Sequence, residues 1–147
     1  MDAKPYARKA NYYETDQMGI IHHSNFIRWF EEARVDLMEQ LGFGYEKSIE
    51  QGVDFALLSV YCEYKSMVRF PDTVNISVEI TSLENMKMAL SYTVTDSKSG
   101  EVRALGETRH CYYDNVKKRP TMLKKSAPQL YELLKSLYSS NADNCKL

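Results

Sequence analysis

Cysteine is scarce in this chain of 147 residues: Cys62, Cys111 and Cys145 are odd in number, far apart and without a C-x-x-C pair. That argues against a disulfide frame or a zinc knuckle, and makes a reducing cytoplasm the expected compartment. Cys62 and Cys111 read as small buried hydrophobes and Cys145 as a tail residue. Histidine is limited to His22, His23 and His110. The side chains of adjacent His22 and His23 diverge, so no metal is expected, and no cofactor motif is present. Long apolar runs are missing too. The clearest begins at Phe55-Ala56-Leu57-Leu58 and reaches only Cys62, short of the roughly 20 residues of a membrane span. Met1 to Asp16 holds no apolar h-region, so no secretory signal is expected. An excess of charge is absent: 19 basic against 20 acidic residues leaves −1. That argues against a nucleic-acid-coating protein but leaves room for a local basic patch. There is no G-x-S-x-G, no H-E-x-x-H and no phosphate loop, and Gly42-Phe43-Gly44 lacks the third glycine of a dinucleotide fingerprint.

What remains is enough to fold: hydrophobic residues make up 44% of the chain. The length suits one domain, expected over residues 1–138, with polar residues 139–147 frayed. A tyrosine-rich first strand is expected within 4–14, then a loop from Glu14 to His23. Phe26, Phe30, Ala33, Leu37 and Leu41 recur at helical spacing, with Gly42 as terminator and Ser24 or Asn25 as N-cap. A short helix follows from Tyr45 to Gln51. Val53 to Tyr64 reads as a strand buried on both faces. Val74, Ile76, Val78 and Ile80 alternate with polar residues, as a half-buried strand does. Met88 to Val94 and Val102 to Tyr113 add two more strands. Ser126-Ala127-Pro128-Gln129 reads as a capping box opening a helix striped by Leu130, Leu133, Leu134 and Leu137. Consecutive strands with one long segregated helix indicate an α+β fold, a curved antiparallel sheet wrapped around that helix.

The polar residues concentrate between Tyr12 and Phe26, in the loop that feeds the long helix. The free N–H groups of a helix start carry about half a positive charge. A carbonyl placed there is polarised and a developing oxyanion is stabilised. A carboxylate nearby, Asp16, can act as base or nucleophile. Spacing alone leaves a second and commoner reading, with Asp16 and Asn25 as local turn and capping residues.

Tyr13-x-Thr15-Asp16-x-x-Gly19-Ile20-Ile21-x-His23-x-Asn25-Phe26, followed by Phe30-Glu31-x-Ala33-Arg34, resembles the 4-hydroxybenzoyl-CoA thioesterase family of hot-dog-fold proteins, and most closely its broad acyl-CoA thioesterase branch. Tyr64 to Asp72 and Arg119-Pro120 are similar to later family segments, so the resemblance spans roughly residues 5–125. It departs at Met67, where the family often has proline, and at His22, where it often has tyrosine.

The resemblance implies hydrolysis of an acyl thioester. Asp16 is the nucleophile or general base. The His23 amide is the oxyanion donor, and its imidazole orients water or Asp16. Gly19 and Asn25 support the site. Glu31 is the rival carboxylate, used as catalyst in a second hot-dog class, with a structural role the better match here. The acyl group is expected along Ile20, Ile21, Phe26 and Trp29 or their partner-chain counterparts, and phosphates at Lys65, Arg69 and Lys87. The turn Glu84-Asn85-Met86-Lys87 holds only one cation, so an acyl-carrier-protein donor competes with CoA. A homodimer, or a dimer of dimers, is implied, with active sites at the shared interface. A non-hydrolytic acyl-binding module, and a dehydratase recruiting His23 and Glu31, are the rival readings on the same fold.

Overall fold

The computed structural model describes residues 2–144. Strand β1 (Tyr6–Lys9) leads through a 3-10 turn at Tyr12–Glu14 to helix α1 (Ser24–Gln40) and helix α2 (Tyr45–Gln51). Four long strands follow: β2 (Val53–Tyr64), β3 (Thr73–Leu83), β4 (Lys87–Asp96) and β5 (Val102–Asp114). The short β6 (Arg119–Pro120), helix α3 (Leu123–Ser126) and helix α4 (Pro128–Asn144) complete the chain. All pairings are antiparallel in the order β1-β3-β4-β5-β2, with β6 on β5. This is the expected α+β arrangement, a hot-dog fold with the sheet curled around α1.

The apolar face of α1 is the one its spacing foretold: Phe26, Trp29, Phe30, Ala33 and Leu37 are buried. Phe30 stacks on Tyr92 of β4, with ring centroids 4.4 Å apart. Any residue but glycine at 106 would drive its Cβ to 2.4 Å from the Phe30 ring, so that glycine lets helix and sheet approach. The helix ends as its sequence implies. Gly42 adopts a φ of 80°, its N–H bonds the Glu39 carbonyl, and the Phe43 N–H bonds that of Met38, which is a Schellman cap.

Several expectations give way. Strand β1 stops at Lys9 because the Glu14 carboxylate accepts the Asn11 N–H and folds residues 11–14 into a turn. Strand β2 is an edge strand, not a doubly buried one: Leu58 is 53% and Tyr61 61% exposed, and Leu57, Val60 and Tyr64 are exposed beside them. Cys62 and Cys111 are half-buried, not fully buried. Ser126 lies inside α3 and pairs its hydroxyl with Thr121, so it opens no capping box, although Pro128 does begin α4. Leu133 leaves the α4 stripe for the surface. The expected frayed tail is helical as far as Asn144. There Ser140 satisfies its hydroxyl on the Ser136 carbonyl one turn back. Cys145 and the last two residues lie outside the described ones.

One polar chain crosses the core. Arg34 Nη1 donates to the Tyr92 hydroxyl at 3.1 Å, which meets Thr108 Oγ1 at 2.7 Å, which meets His110 Nε2 at 2.8 Å. Burial above all, with the charge of Arg34 adding, pushes the His110 ring down to about 4 from 6.5, against the pull of the nearby Phe55 carbonyl. A depressed base favours the fold when neutral. Its contribution, about 3 kcal/mol, is therefore complete above pH 6.5 and is lost as pH falls towards 4. Melting temperatures across that window should drop steeply for the wild type and less so for His110→Phe. Parallel pH profiles for the two would remove His110 as the cause.

Candidate active site

The segment from Glu14 to His22 is a tight hairpin. The His22 N–H bonds the Glu14 carbonyl at 2.9 Å, Thr15 bridges Ile21, and the Asp16 N–H bonds the Ile20 carbonyl at 2.8 Å. At its tip the Gly19 N–H closes on the Asp16 carbonyl at 3.0 Å. The φ of 76° at Gly19 suits glycine there. The Asp16 carboxylate accepts the Met18 N–H on Oδ1 at 2.8 Å. Its second oxygen has no partner among the described residues, and the side chain is half-buried.

Three contacts fix this hairpin against the molecule. Asn25 Nδ2 donates to the Glu14 carbonyl at 2.9 Å and the His22 carbonyl at 3.3 Å, strapping the hairpin to the first turn of α1. The Ile21 N–H bonds the Val68 carbonyl at 2.8 Å, and Ile20 bridges Arg69. The Glu14 side chain anchors the base: it receives Arg8 Nη1 and Nη2 at 2.9 and 3.0 Å, Trp29 Nε1 at 2.9 Å and the Asn11 N–H at 2.8 Å.

The start of α1 is capped by neither Ser24 nor Asn25, which are its first two residues. The His22 ring takes that role. Its Nδ1 receives the Ser24 N–H at 3.2 Å and meets Ser24 Oγ at 2.8 Å. A backbone N–H can only donate, so His22 Nδ1 is an acceptor and any ring proton of the neutral form is on Nε2. The His23 N–H has no hydrogen-bond partner among the described residues. Its carbonyl accepts the Tyr64 hydroxyl at 2.9 Å. Burial, and then neighbouring Cys62, pushes that hydroxyl up to about 12, so it remains a donor. No acidic residue occupies the first turn of α1 to offset its partial positive charge. Asp16 lies opposite Ile20 in the hairpin, and His23 follows three residues later as the residue that opens α1.

The other expected site residues divide. Arg69 comes to the loop: its Nη1 would lie 3.9 Å from a Cβ on Gly19, and it makes no ion pair among the described residues. Ile20 is half-buried at the hairpin tip. Ile21, Phe26 and Trp29 are buried in the core of the chain, the last two on the inward apolar face of α1. Lys65 is exposed and paired with Glu63. Lys87 is not brought to the loop. It pairs with Cys111 on β5, whereas Tyr64 reaches β5 at Ala104, a separation of about 23 Å along the strand. Glu31 is exposed two turns along α1 and lines a different cavity. The imidazole of His23 is exposed, and the two neighbouring rings do not diverge as expected: the His22 and His23 centroids lie 4.0 Å apart.

Sequence reading missed Glu14, Tyr64 and the capping role of His22. One signal was available for Glu14. A tryptophan on the apolar face of a helix needs an acceptor for its ring N–H, and Trp29 is the only tryptophan in the chain.

Known proteins align with this framework. The model of the thioesterase-like superfamily matches residues 11–132. A relative in Aquifex aeolicus is 37% identical over 112 residues, 76% of this chain and 86% of its own. The acyl-CoA thioester hydrolase YbgC of Escherichia coli O6:H1 is 25% identical over 116 residues, 78% of this chain and 86% of its own. The crystal structure of DHNA-CoA thioesterase from Staphylococcus aureus superposes with a TM-score of 0.88 at 26% identity, covering 96% of this chain and 94% of that one. With a family match over most of its length and a fold shared end to end, the chain belongs to the thioesterase-like superfamily.

Proposed function

We propose that this protein is an acyl-CoA thioesterase in which Asp16 activates water, or attacks the carbonyl itself, while the His23 N–H at the start of α1 polarises the thioester carbonyl. That it is a thioester hydrolase follows from its family and from relatives that carry that name. The observation that supports the finer reading is the hairpin. It carries a carboxylate with one oxygen unpartnered among the described residues, and Asn25 straps it to a helix start whose His23 amide is likewise unpartnered among them. In the direct route Asp16 takes a proton from water as the water oxygen bonds the carbonyl carbon, and the thiolate leaves with the C–S bonding pair. In the covalent route the Asp16 oxygen bonds that carbon, the thiolate leaves, and water hydrolyses the mixed anhydride. In both, negative charge on the carbonyl oxygen is met by the amide. The run from Tyr13 to Phe26 supports a place in the 4-hydroxybenzoyl-CoA thioesterase branch.

Arg69 is the cation available to a CoA phosphate at this loop. An acyl-carrier-protein donor is the second reading, because the β3–β4 turn offers only Lys87. A thiol-release screen over short, long and aromatic acyl-CoAs, with an acyl-carrier-protein donor beside them, tests both. No thiol released from any donor would sink the proposal.

The exposed apolar edge of β2 supports a homodimer in which two β2 strands pair antiparallel and the sheets join. The two α1 helices then run antiparallel, each start facing the later turns of the other. Replacing Leu58 and Tyr61 together with lysine should convert the dimer to a monomer in light scattering and lower thiol release at least tenfold. A variant that keeps the wild-type mass and rate would show that this edge joins nothing.

A further inference from the structure

We propose that the turn between β5 and β6, together with α3, docks this protein on an anionic lipid surface, with Val116 entering the headgroup layer and the lysines around it meeting lipid phosphates. Five of the chain's 19 basic residues, Lys117, Lys118, Arg119, Lys124 and Lys125, fall within nine positions that hold no acidic residue. The whole chain carries a net charge of −1, so the patch is a local concentration of charge and not part of a general excess. All five side chains are exposed, and none makes an ion pair among the described residues.

The fold brings these cations together. Strand β6 pairs with Tyr113 and Asp114 of β5, which returns the chain and leads it into α3. The hydroxyls of Thr121 and Ser126 meet at 2.7 Å and tie that helix to the return. Lys117, Arg119 and Lys125 consequently line one open cleft, beside Met86 and Met122. The one carboxylate that lines it is Asp114, whose Oδ1 accepts the Val116 and Lys117 N–H groups at 2.9 Å each. These bonds shape the turn, and the Asn115 N–H anchors it to the Gly52 carbonyl at 2.8 Å. On the turn so fixed stands Val116, 83% exposed.

An apolar tip among unpaired cations carries the two signals that together hold a protein on a bilayer. A nucleic acid or a free phosphate would use the cations but offers Val116 no apolar phase. Four of the five cations are lysines, whose ammonium groups are point charges on flexible stems. They suit a fluid array of headgroups better than one fixed phosphate. The proposed dimer leaves the patch open. Asp114 meets Val53 of β2 on one side and Arg119 of β6 on the other, so β6 and α3 follow from the side of β5 opposite to the β2 edge. The docking does not depend on the proposed chemistry at Asp16.

Co-sedimentation with vesicles tests the docking without any turnover. The wild type should pellet with vesicles of phosphatidylcholine and phosphatidylglycerol in equal parts, and stay in solution with phosphatidylcholine alone. Raising the salt to about 1 M, where the screening length falls to about 3 Å, should release it. Lys124→Gln combined with Lys125→Gln should weaken binding about 25-fold, at about fivefold for each cation lost. Val116→Ser should weaken it about tenfold with every charge kept. All three positions are exposed or lie outside the buried core, and a thermal melt of each variant checks that it folds as the wild type does. Inorganic phosphate and free CoA, each at millimolar concentration, should leave the bound protein on the vesicles. Failure to pellet with the anionic vesicles, equal pelleting with both kinds, or binding indifferent to the lysine pair or to Val116→Ser would overturn the inference. Release by phosphate or CoA would overturn it too, and would place a small phosphate in the cleft instead. None of these outcomes bears on the thiol-release screen, so the two readings fail separately.

Discussion

Asp16→Asn should lower kcat for thiol release by about 10²–10⁴-fold, the usual contribution of a positioned acid–base group, and leave the fold unchanged. The second half of that expectation comes from the hairpin. Asp16 serves its own turn by accepting the Met18 N–H on Oδ1. An asparagine carries an oxygen in the same place and can keep that bond. Its amide NH₂ falls where the carboxylate has no partner among the described residues, so no buried group is stranded. The melting temperature should therefore stay within the range of a neutral surface change, about 0.5 kcal/mol. Steady-state thiol release and a thermal melt on the same preparation check both halves. A variant that retains wild-type kcat would remove Asp16 from the chemistry. One that loses activity and stability together would make it a scaffold residue instead.

Much of the framework that holds Asp16 was legible, because it rests on local periodicity. The α1 stripe from Phe26 to Leu37 repeats at helical spacing, and Gly42 marks its end with the one backbone conformation that glycine adopts at no cost. In β3, Val74, Ile76 and Ile80 alternate with less buried residues because one face meets the core. What was illegible depends on partners far away in the chain. Strand β2 is apolar throughout its middle, which a single sequence cannot tell from a strand sandwiched between two layers. Its place at the sheet edge is decided by pairing with β5 alone. Tyr12 and Tyr13 favour a strand by their residue type, yet Glu14 bends them into a turn because its carboxylate has Arg8 and Trp29 to face. In the candidate site, the polar run around Asp16 was visible. The anchors Glu14 and Tyr64 were not, since each acts on an element 15 to 41 residues away.

Glu14→Gln should cost about 3–5 kcal/mol, the penalty for breaking a buried ion pair and leaving its partner uncompensated. The Glu14 side chain is 3% exposed and uses all its acceptor capacity. Oε1 takes Arg8 Nη1 and the Asn11 N–H, and Oε2 takes Arg8 Nη2 and Trp29 Nε1. Whichever oxygen becomes NH₂, two donors are left pointing at a donor. Arg8, itself only 13% exposed, would keep just Glu32 as counter-ion. For a chain of this length the melting temperature should fall by roughly 10 °C. Thiol release should fall as well, through geometry: the Glu14 carbonyl holds both Asn25 and His22, and through them the hairpin that carries Asp16. Emission from Trp29, the only tryptophan in the chain, reports the change directly, because its ring N–H loses the carboxylate it donates to. A melting temperature and Trp29 spectrum matching the wild type would show that this cluster does not anchor the loop. A destabilised variant whose kcat is intact would show that the loop holds Asp16 without it.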